Sequence, residues 1–264
     1  MTIATNLLFS KFQPQEFEQL CQLLCSVFET SPKELAKLYQ DIDSTFYQPG
    51  WPKHFVRRDF FKSASEPFRH TCQKSPVIAV DLPSLIELDD GQNYKSTIAL
   101  IGQDPKNNED QEQLVVGTPY GLHHQGSREE LSQTKLYFEM VHVLLELGYR
   151  VYMTDLLKIW VCNPEQRYVG LKLPASDQQR FLSLVKLELD VLHPVSIITW
   201  GKKAASAVDQ LKSGIKHLKF PHPSGAASGK WQELMQQSPT HCNKLAYFRT
   251  QTTQFLCNSL LPRS

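Results

Sequence analysis

No apolar run in the chain approaches the ~18 residues that a membrane-spanning helix needs. The opening stretch, MTIATNLLFSKFQPQEF, has no basic n-region and too short an apolar segment for a secretory signal. Cysteine is sparse and dispersed: Cys21, Cys25, Cys72, Cys162, Cys242 and Cys257 are too scattered for a disulfide scaffold. Neither sign of charge predominates, since 28 Lys+Arg against 27 Asp+Glu leaves a net charge of +1. That balance excludes a histone-like polycation but not a local basic face. Internal repeats and low-complexity segments are missing. No strand is followed by the phosphate-cradling patterns G-x-G-x-x-G or G-x-x-x-x-G-K-[ST], which disfavours an ordinary nucleotide-binding α/β protein. These absences lead to the expectation of a soluble, reduced, cytoplasmic protein with no membrane partner.

The composition is that of a folded chain, with 41% hydrophobic and 21% charged residues, enough to bury a real core. At roughly 150 residues per domain, 264 residues make one large or two modest domains. Residues 15–40 read as helix: Phe17, Leu20, Leu24, Val27 and Phe28 recur at helical spacing, and Ser31-Pro32 starts a second helix. Residues 53–70 interleave Lys53, Arg57, Arg58, Lys62 and Arg69 with Phe55, Phe60, Phe61 and Phe68. Such a stretch reads either as an amphipathic helix or as a surface for a phosphate backbone.

From residue 97 the pattern changes. Thr97–Ile101 is a continuous apolar run ending at Gly102, as in a buried parallel strand. A helix over 131–147 stops at Gly148, and a strand follows at 150–154. A helix over 176–191, a strand at 195–200, an Ala-rich helix at 202–212, a strand at 216–220 and a helix over 240–260 complete the series. Alternating strands and helices predict an α/β fold, a three-layer α/β/α sandwich with a central, mostly parallel four-stranded sheet and a helical N-terminal addition. The division expected is 1–95 for the helical extension packed on the core and 96–264 for the α/β domain. Ligands of such sheets bind past the carboxyl ends of the strands. That rule selects Gln103-Asp104-Pro105, Thr154-Asp155, Trp200-Gly201 and His222-Pro223-Ser224.

In order and placement these segments resemble the uracil-DNA glycosylase superfamily. The matching elements are Ile101-Gly-Gln-Asp-Pro105, Gly117-Thr-Pro-Tyr-Gly121, Val151-Tyr-Met-Thr-Asp-Leu-Leu-Lys158 and Phe220-Pro-His-Pro-Ser224. Leu192–Gly201 also looks like the family's strand leading into a Gly-Ala helix, and the resemblance spans about residues 97–260. It implies a monofunctional DNA glycosylase, without metal or cofactor, acting on a flipped-out pyrimidine in single- or double-stranded DNA, and expected to be a monomer. Hydrolysis of an N-glycosidic bond builds positive charge on the deoxyribose and negative charge on the departing base. By resemblance, Asp104 is the carboxylate that holds the attacking water and His222 the donor to the base O2. Tyr120 is the aromatic on which the extruded base stacks. Gln103 lines the same pocket through its backbone, and Ser224, with Asn107 and Lys202, holds DNA phosphates. Each also has a plain structural reading: Asp104 as an Asx-turn, His222 as a loop histidine, Tyr120 as a core aromatic.

Two departures from the family pattern point to the substrate. Uracil-excising relatives often place an asparagine where this chain has Asp155. A carboxylate only accepts hydrogen bonds, so it opposes uracil O4 and suits the cytosine N4 amino group. Such base contacts are worth ~1–3 kcal/mol of discrimination. The closest uracil-specific branch also carries an aromatic wall where Lys106 stands. Lys106-Asn107-Asn108 would instead admit a polar group at C5 of the base. Together the two changes favour a C5-modified cytosine, hydroxymethylated or glucosylated, as in phage DNA, and suggest a role in antiviral defence. Uracil repair, and a non-catalytic DNA-binding relative, are the alternatives. Gly225-Ala226-Ala227 lacks the family's apolar wedge, for which Trp231 is a substitute candidate. His123 and His124 read as loop residues that meet phosphate. Cys21, Cys25 and Cys162 lack the spacing of the family's iron–sulfur ligands and read as core.

Overall fold

A computed structural model of the chain describes residues 7–75, 78–91, 95–106, 114–130, 132–163 and 165–260. The fold is α/β, with two mixed sheets. The principal sheet is built on β5 (Thr97–Gly102), β7 (Arg150–Asp155), β10 (Ser196–Trp200) and β11 (Lys216–Phe220). These are the four strands expected from the sequence, and they lie parallel in the order β7-β5-β10-β11. Every residue of β5, β7 and β10 is buried, which is why each is a continuous apolar run rather than an alternating one. β11 is an edge strand, with Lys216 and Lys219 exposed, a pattern that discourages edge-to-edge pairing.

The sheet has six strands, not four. β1 (Leu7–Phe9) and β4 (Ser84–Leu88) join antiparallel on the β7 side. The N-terminal portion is therefore not purely helical. It supplies helices α1 (Pro14–Leu24), α2 (Pro32–Ser44) and α3 (Glu66–Lys74), but also β2 (His54–Val56) and β3 (Ile78–Asp81). β2 and β3 belong to a second sheet, ordered β2-β6-β3-β8-β9, with β6 (Leu114–Gly117), β8 (Ile159–Asn163) and β9 (Gln166–Gly170). Short strands of this kind escape periodicity because three to five residues carry too few alternations to register.

Residues 53–70 are not one amphipathic helix. They form β2, a 3-10 turn at Arg58–Phe60 and the start of α3. Phe60 and Phe61 are core, Phe60 stacking on Phe28 at 4.7 Å and Phe61 on Phe181 at 5.6 Å, whereas Phe55 is exposed and Phe68 half-buried. Arg69 donates to the Ser63 carbonyl at 2.9 Å. The remaining helices, α4 (Gln125–Glu129), α5 (Ser132–Glu146), α6 (Ala175–Leu192), α7 (Lys202–Leu211), α8 (Ser228–Met235) and α9 (His241–Leu260), follow the expected spans apart from α4 and α8. α5 packs against α9, and α6 against α1 and α7. No helix among the described residues is long and apolar enough to cross a membrane.

Two features of this layout place the site. The chain puts β7 on one side of β5 and β10 on the other, so a crevice opens at their carboxyl ends. The antiparallel pair β3–β8 of the second sheet also passes into the pair β4–β7 of the first. Both chains bend there, through Leu82-Pro83 and through Leu156–Lys158. That corner brings the ends of β3 and β7 together.

Candidate active site

At the carboxyl end of β5 the chain narrows to Gly102, and the glycine is required. A Cβ there would lie 2.2 Å from Asp155 Oδ1 and 2.3 Å from the Tyr120 hydroxyl. Asp155 ends β7 in register with Gly102 and is only 3% exposed. Tyr120 reaches the same point from the turn after β6. Its backbone is left-handed, at φ 63°, a costly state for a bulky residue. The ring is fixed edge-on by Tyr137 and Trp200, each at 4.9 Å, and lies 6.0 Å from His222. Its hydroxyl is buried without a hydrogen-bond partner. Asp155 and Tyr120, 35 positions apart in sequence, thus share one glycine-shaped slot.

Asp104 stands two residues past β5, partly exposed at the crevice. The Gln103 amide donates to Asp104 Oδ2 at 2.5 Å, and the Lys106 amide to the Asp104 carbonyl at 3.0 Å. The Gln103 backbone carbonyl is engaged by the Leu157 amide at 2.9 Å, so Gln103 faces Asp104 through its side chain rather than its main chain. Leu156 N–H likewise bonds the Gly102 carbonyl at 3.0 Å, tying the Asp104 loop to the turn that follows Asp155.

His222 lies past the end of β11, half-buried, near Gly201, whose Cβ position would be 3.7 Å from the His222 Cβ. The Ser224 amide donates to His222 Nδ1 at 3.2 Å. A neutral ring with Nδ1 accepting carries its proton on Nε2 and is a hydrogen-bond donor there. Burial pushes the His222 pKa below the ordinary histidine value; Asp104 opposes that shift and Lys244 adds to it. The loop is clamped from behind, since Trp231 Nε1 donates to the His222 carbonyl at 2.9 Å and Lys244 Nζ to the Pro223 carbonyl at 3.1 Å.

Beneath Asp155 lies a buried ion pair. Lys158 Nζ meets Glu188 Oε2 at 3.0 Å, both side chains wholly buried, and also donates to the Asp155 carbonyl at 2.6 Å. Thr154 Oγ1 donates to the same Glu188 oxygen at 2.9 Å. Asp81, at the end of β3, carries no sequence pattern that singles it out. Its amide donates to the Lys158 carbonyl at 3.2 Å, which sets its carboxyl beside Asp155. Desolvation raises Asp81 to about 7 and Asp155 well above the usual carboxylate range. The negative charges of the pair and of Asp104 act in the same direction on Asp155, and Lys158 opposes them.

The structure therefore gathers Gln103, Asp104, Tyr120, Asp155 and His222, with Ser224 adjoining. Lys106 and Lys202 are exposed and line a groove of about 1030 Å³ that starts at Gln103 and Asp104. Its floor includes Leu156, Leu157 and Trp160, and Lys172 and Lys203 add to its basic rim. Asn107 lies outside the described residues. Three expectations change. Trp231 is no wedge: it is fully buried and stacks on Phe220 at 6.0 Å. His123 does not face phosphate: it is 2% exposed, paired with Thr118 Oγ1 at 3.0 Å, and its pKa is pushed well down by burial. The Ser224 amide belongs to His222, which leaves the hydroxyl for a phosphate. Cys21 and Cys162 are buried free thiols, as expected, whereas Cys25 is only half-buried and Cys242 and Cys257 are exposed. No protein-family model matches the chain, and no curated protein matches its sequence.

Proposed function

We propose that the protein is a monofunctional DNA glycosylase that removes a C5-modified cytosine from DNA. The observation that carries this reading is the meeting of Asp104, Tyr120, Asp155 and His222, four residues from separate segments, around the carboxyl ends of β5 and β7. The three-layer arrangement, with helices on both faces of the principal sheet, is part of the same reading. Asp104 holds the water and offsets the positive charge growing on the deoxyribose. His222 presents its Nε2 proton to O2 of the departing base, and its lowered pKa keeps the ring neutral. A neutral donor avoids placing a second full charge beside Lys244.

The groove with Lys106, Lys172, Lys202 and Lys203 on its rim provides the path for the DNA strand leading to the pocket. Its opening beside Lys106 leaves room for a bulky polar group at C5. Removal of such bases fits defence against phage DNA. Matched oligonucleotides carrying uracil, cytosine, 5-hydroxymethylcytosine or its glucosylated form test the reading, with abasic sites as the readout. Preferential release of a modified cytosine is expected. Release of uracil alone would make the protein a repair enzyme instead, and release of nothing would leave a DNA-binding relative.

A further inference from the structure

The groove that begins at Gln103 and Asp104 continues between two helices, and none of Tyr120, Asp155 and His222 lines it. One wall is α7, where Lys202, Ser206 and Gln210 share a face and are all exposed. The other is the start of α6, with Gln179 exposed and Leu182 half-buried. The end of β9 and its connection to α6 add Val169, Leu171 and Lys172.

This surface joins two properties. It is cationic: Lys106, Lys172, Lys202 and Lys203 are exposed along it, and Asp104 is the only carboxylate lining it among the described residues, in a chain with 27 Asp+Glu. It is also apolar where a ligand can reach, since Leu156, Leu157, Leu171 and Leu182 are half-buried and Val169 is 47% exposed. Double-stranded DNA turns its phosphates outward and keeps its base faces stacked on one another. It would satisfy the lysines and leave the leucines in water. An unpaired strand satisfies both, with phosphates for the cations and free base faces for the apolar floor.

The His222 loop points the same way independently. Extruding a base from a duplex leaves a gap, and a bulky apolar side chain that fills it offsets the lost stacking. Gly225 and Ala226 are exposed but small, Ala227 is half-buried, and Trp231 is turned inward onto Phe220. Such a loop suits a base that is already unstacked.

We propose that the groove between α6 and α7 binds a short run of unpaired nucleotides adjoining the target base, and so makes single-stranded DNA the preferred substrate. The site deepens the glycosylase reading and rests on it for the reaction, whereas strand binding rests on the groove alone. Phosphates lie along Lys172, Lys202 and Lys203, base faces lie against Leu171 and Leu182, and the strand passes Lys106 to reach Asp104. Every base has a face to offer, so the groove holds the flanking strand whatever its sequence and leaves base discrimination to Asp155.

Fluorescence anisotropy with a labelled oligothymidine tests the groove apart from the reaction, because the probe carries no cytosine. The single strand should bind more tightly than a duplex of the same length, by about tenfold or more. Ser206→Glu with Gln210→Glu puts two carboxylates on an exposed helix face. It should weaken strand binding by about tenfold or more with the melting temperature unchanged. Leu171→Ser should weaken binding without altering the slope of log affinity against log salt, because that slope counts phosphates and not apolar contacts. Base release from a single strand should outpace release from the same site in a duplex. A duplex bound as tightly as the single strand, faster release from the duplex, or strand binding that the double variant leaves intact would overturn the proposal. Groove-dependent strand binding in a protein that releases no base would keep the groove and remove the glycosylase reading. Base release alongside binding indifferent to Ser206 and Gln210 would do the reverse.

Discussion

His222 and Asp155 show how far local chemistry departs from residue type. Read from the sequence, Asp155 is a carboxylate that only accepts; in the folded chain, burial first and the neighbouring Asp81 charge second raise its pKa well above the usual carboxylate range. The motif marks Asp155 at the end of a strand, where β7 ends, but nothing in the sequence near Asp81 marks a neighbour 74 positions away. His222 stands out because its loop follows a strand, its role as a donor is what the resemblance implies, and the Nε2 tautomer follows from the Ser224 amide. Replacing His222 with alanine should cost about 10²–10³ in turnover, the range for loss of one donor to a developing anion, while DNA affinity holds. Single-turnover rates and equilibrium binding on one oligonucleotide check this. The Asp81–Asp155 pair also couples stability to pH. Its folded pKa values lie above the unfolded ones, so its contribution is intact below about pH 4 and is lost as pH rises toward 7 and beyond. Each retained proton costs about 1.4 kcal/mol per pH unit across that window. Asp155→Asn should therefore raise the melting temperature relative to wild type more at pH 8 than at pH 5. Calorimetry at both values checks the sign.

The elements that carry the site are the ones the sequence displays most openly. Thr97–Gly102, Arg150–Asp155 and Ser196–Trp200 are wholly buried, so hydrophobicity alone marks them. β2, β3, β6, β8 and β9 were not legible, because short strands paired across long separations leave no local period. Their absence from the sequence pattern also hid the corner between the two sheets, and with it Asp81. Gly102 is the element-level constraint with the sharpest consequence. Gly102→Ala would force a methyl into the positions of Asp155 Oδ1 and the Tyr120 hydroxyl. The expected cost is about 1–3 kcal/mol of overpacking, with loss of base release as Tyr120 is displaced. Denaturant unfolding and the abasic-site assay read the two effects separately. Trp231 belongs to the same scale. Buried on Phe220 and bonded to the His222 carbonyl, it holds the β11–α8 loop. Trp231→Ala should cost about 3–5 kcal/mol of stability, whereas loss of an exposed wedge would leave stability unchanged.

On the scale of the whole molecule, a chain with a net charge of +1 gathers four lysines on the rim of one groove beside Asp104. On the proposed reading, affinity for DNA depends on where cations lie rather than on how many there are. Lys202→Glu with Lys203→Glu should weaken binding across all sequences and flatten the slope of log affinity against log salt by roughly 0.7–0.9 for each phosphate that is no longer neutralised. A salt titration of binding reads that slope. The N-terminal portion is part of the same machine, since β3 delivers Asp81 and β4 extends the principal sheet next to β7. The most direct test of the account is base release by Asp104→Asn, measured beside DNA binding on an oligonucleotide with a modified cytosine. The account predicts a fall of about 10²–10⁴-fold in release with binding retained. A variant that releases the base as fast as the wild type would contradict it.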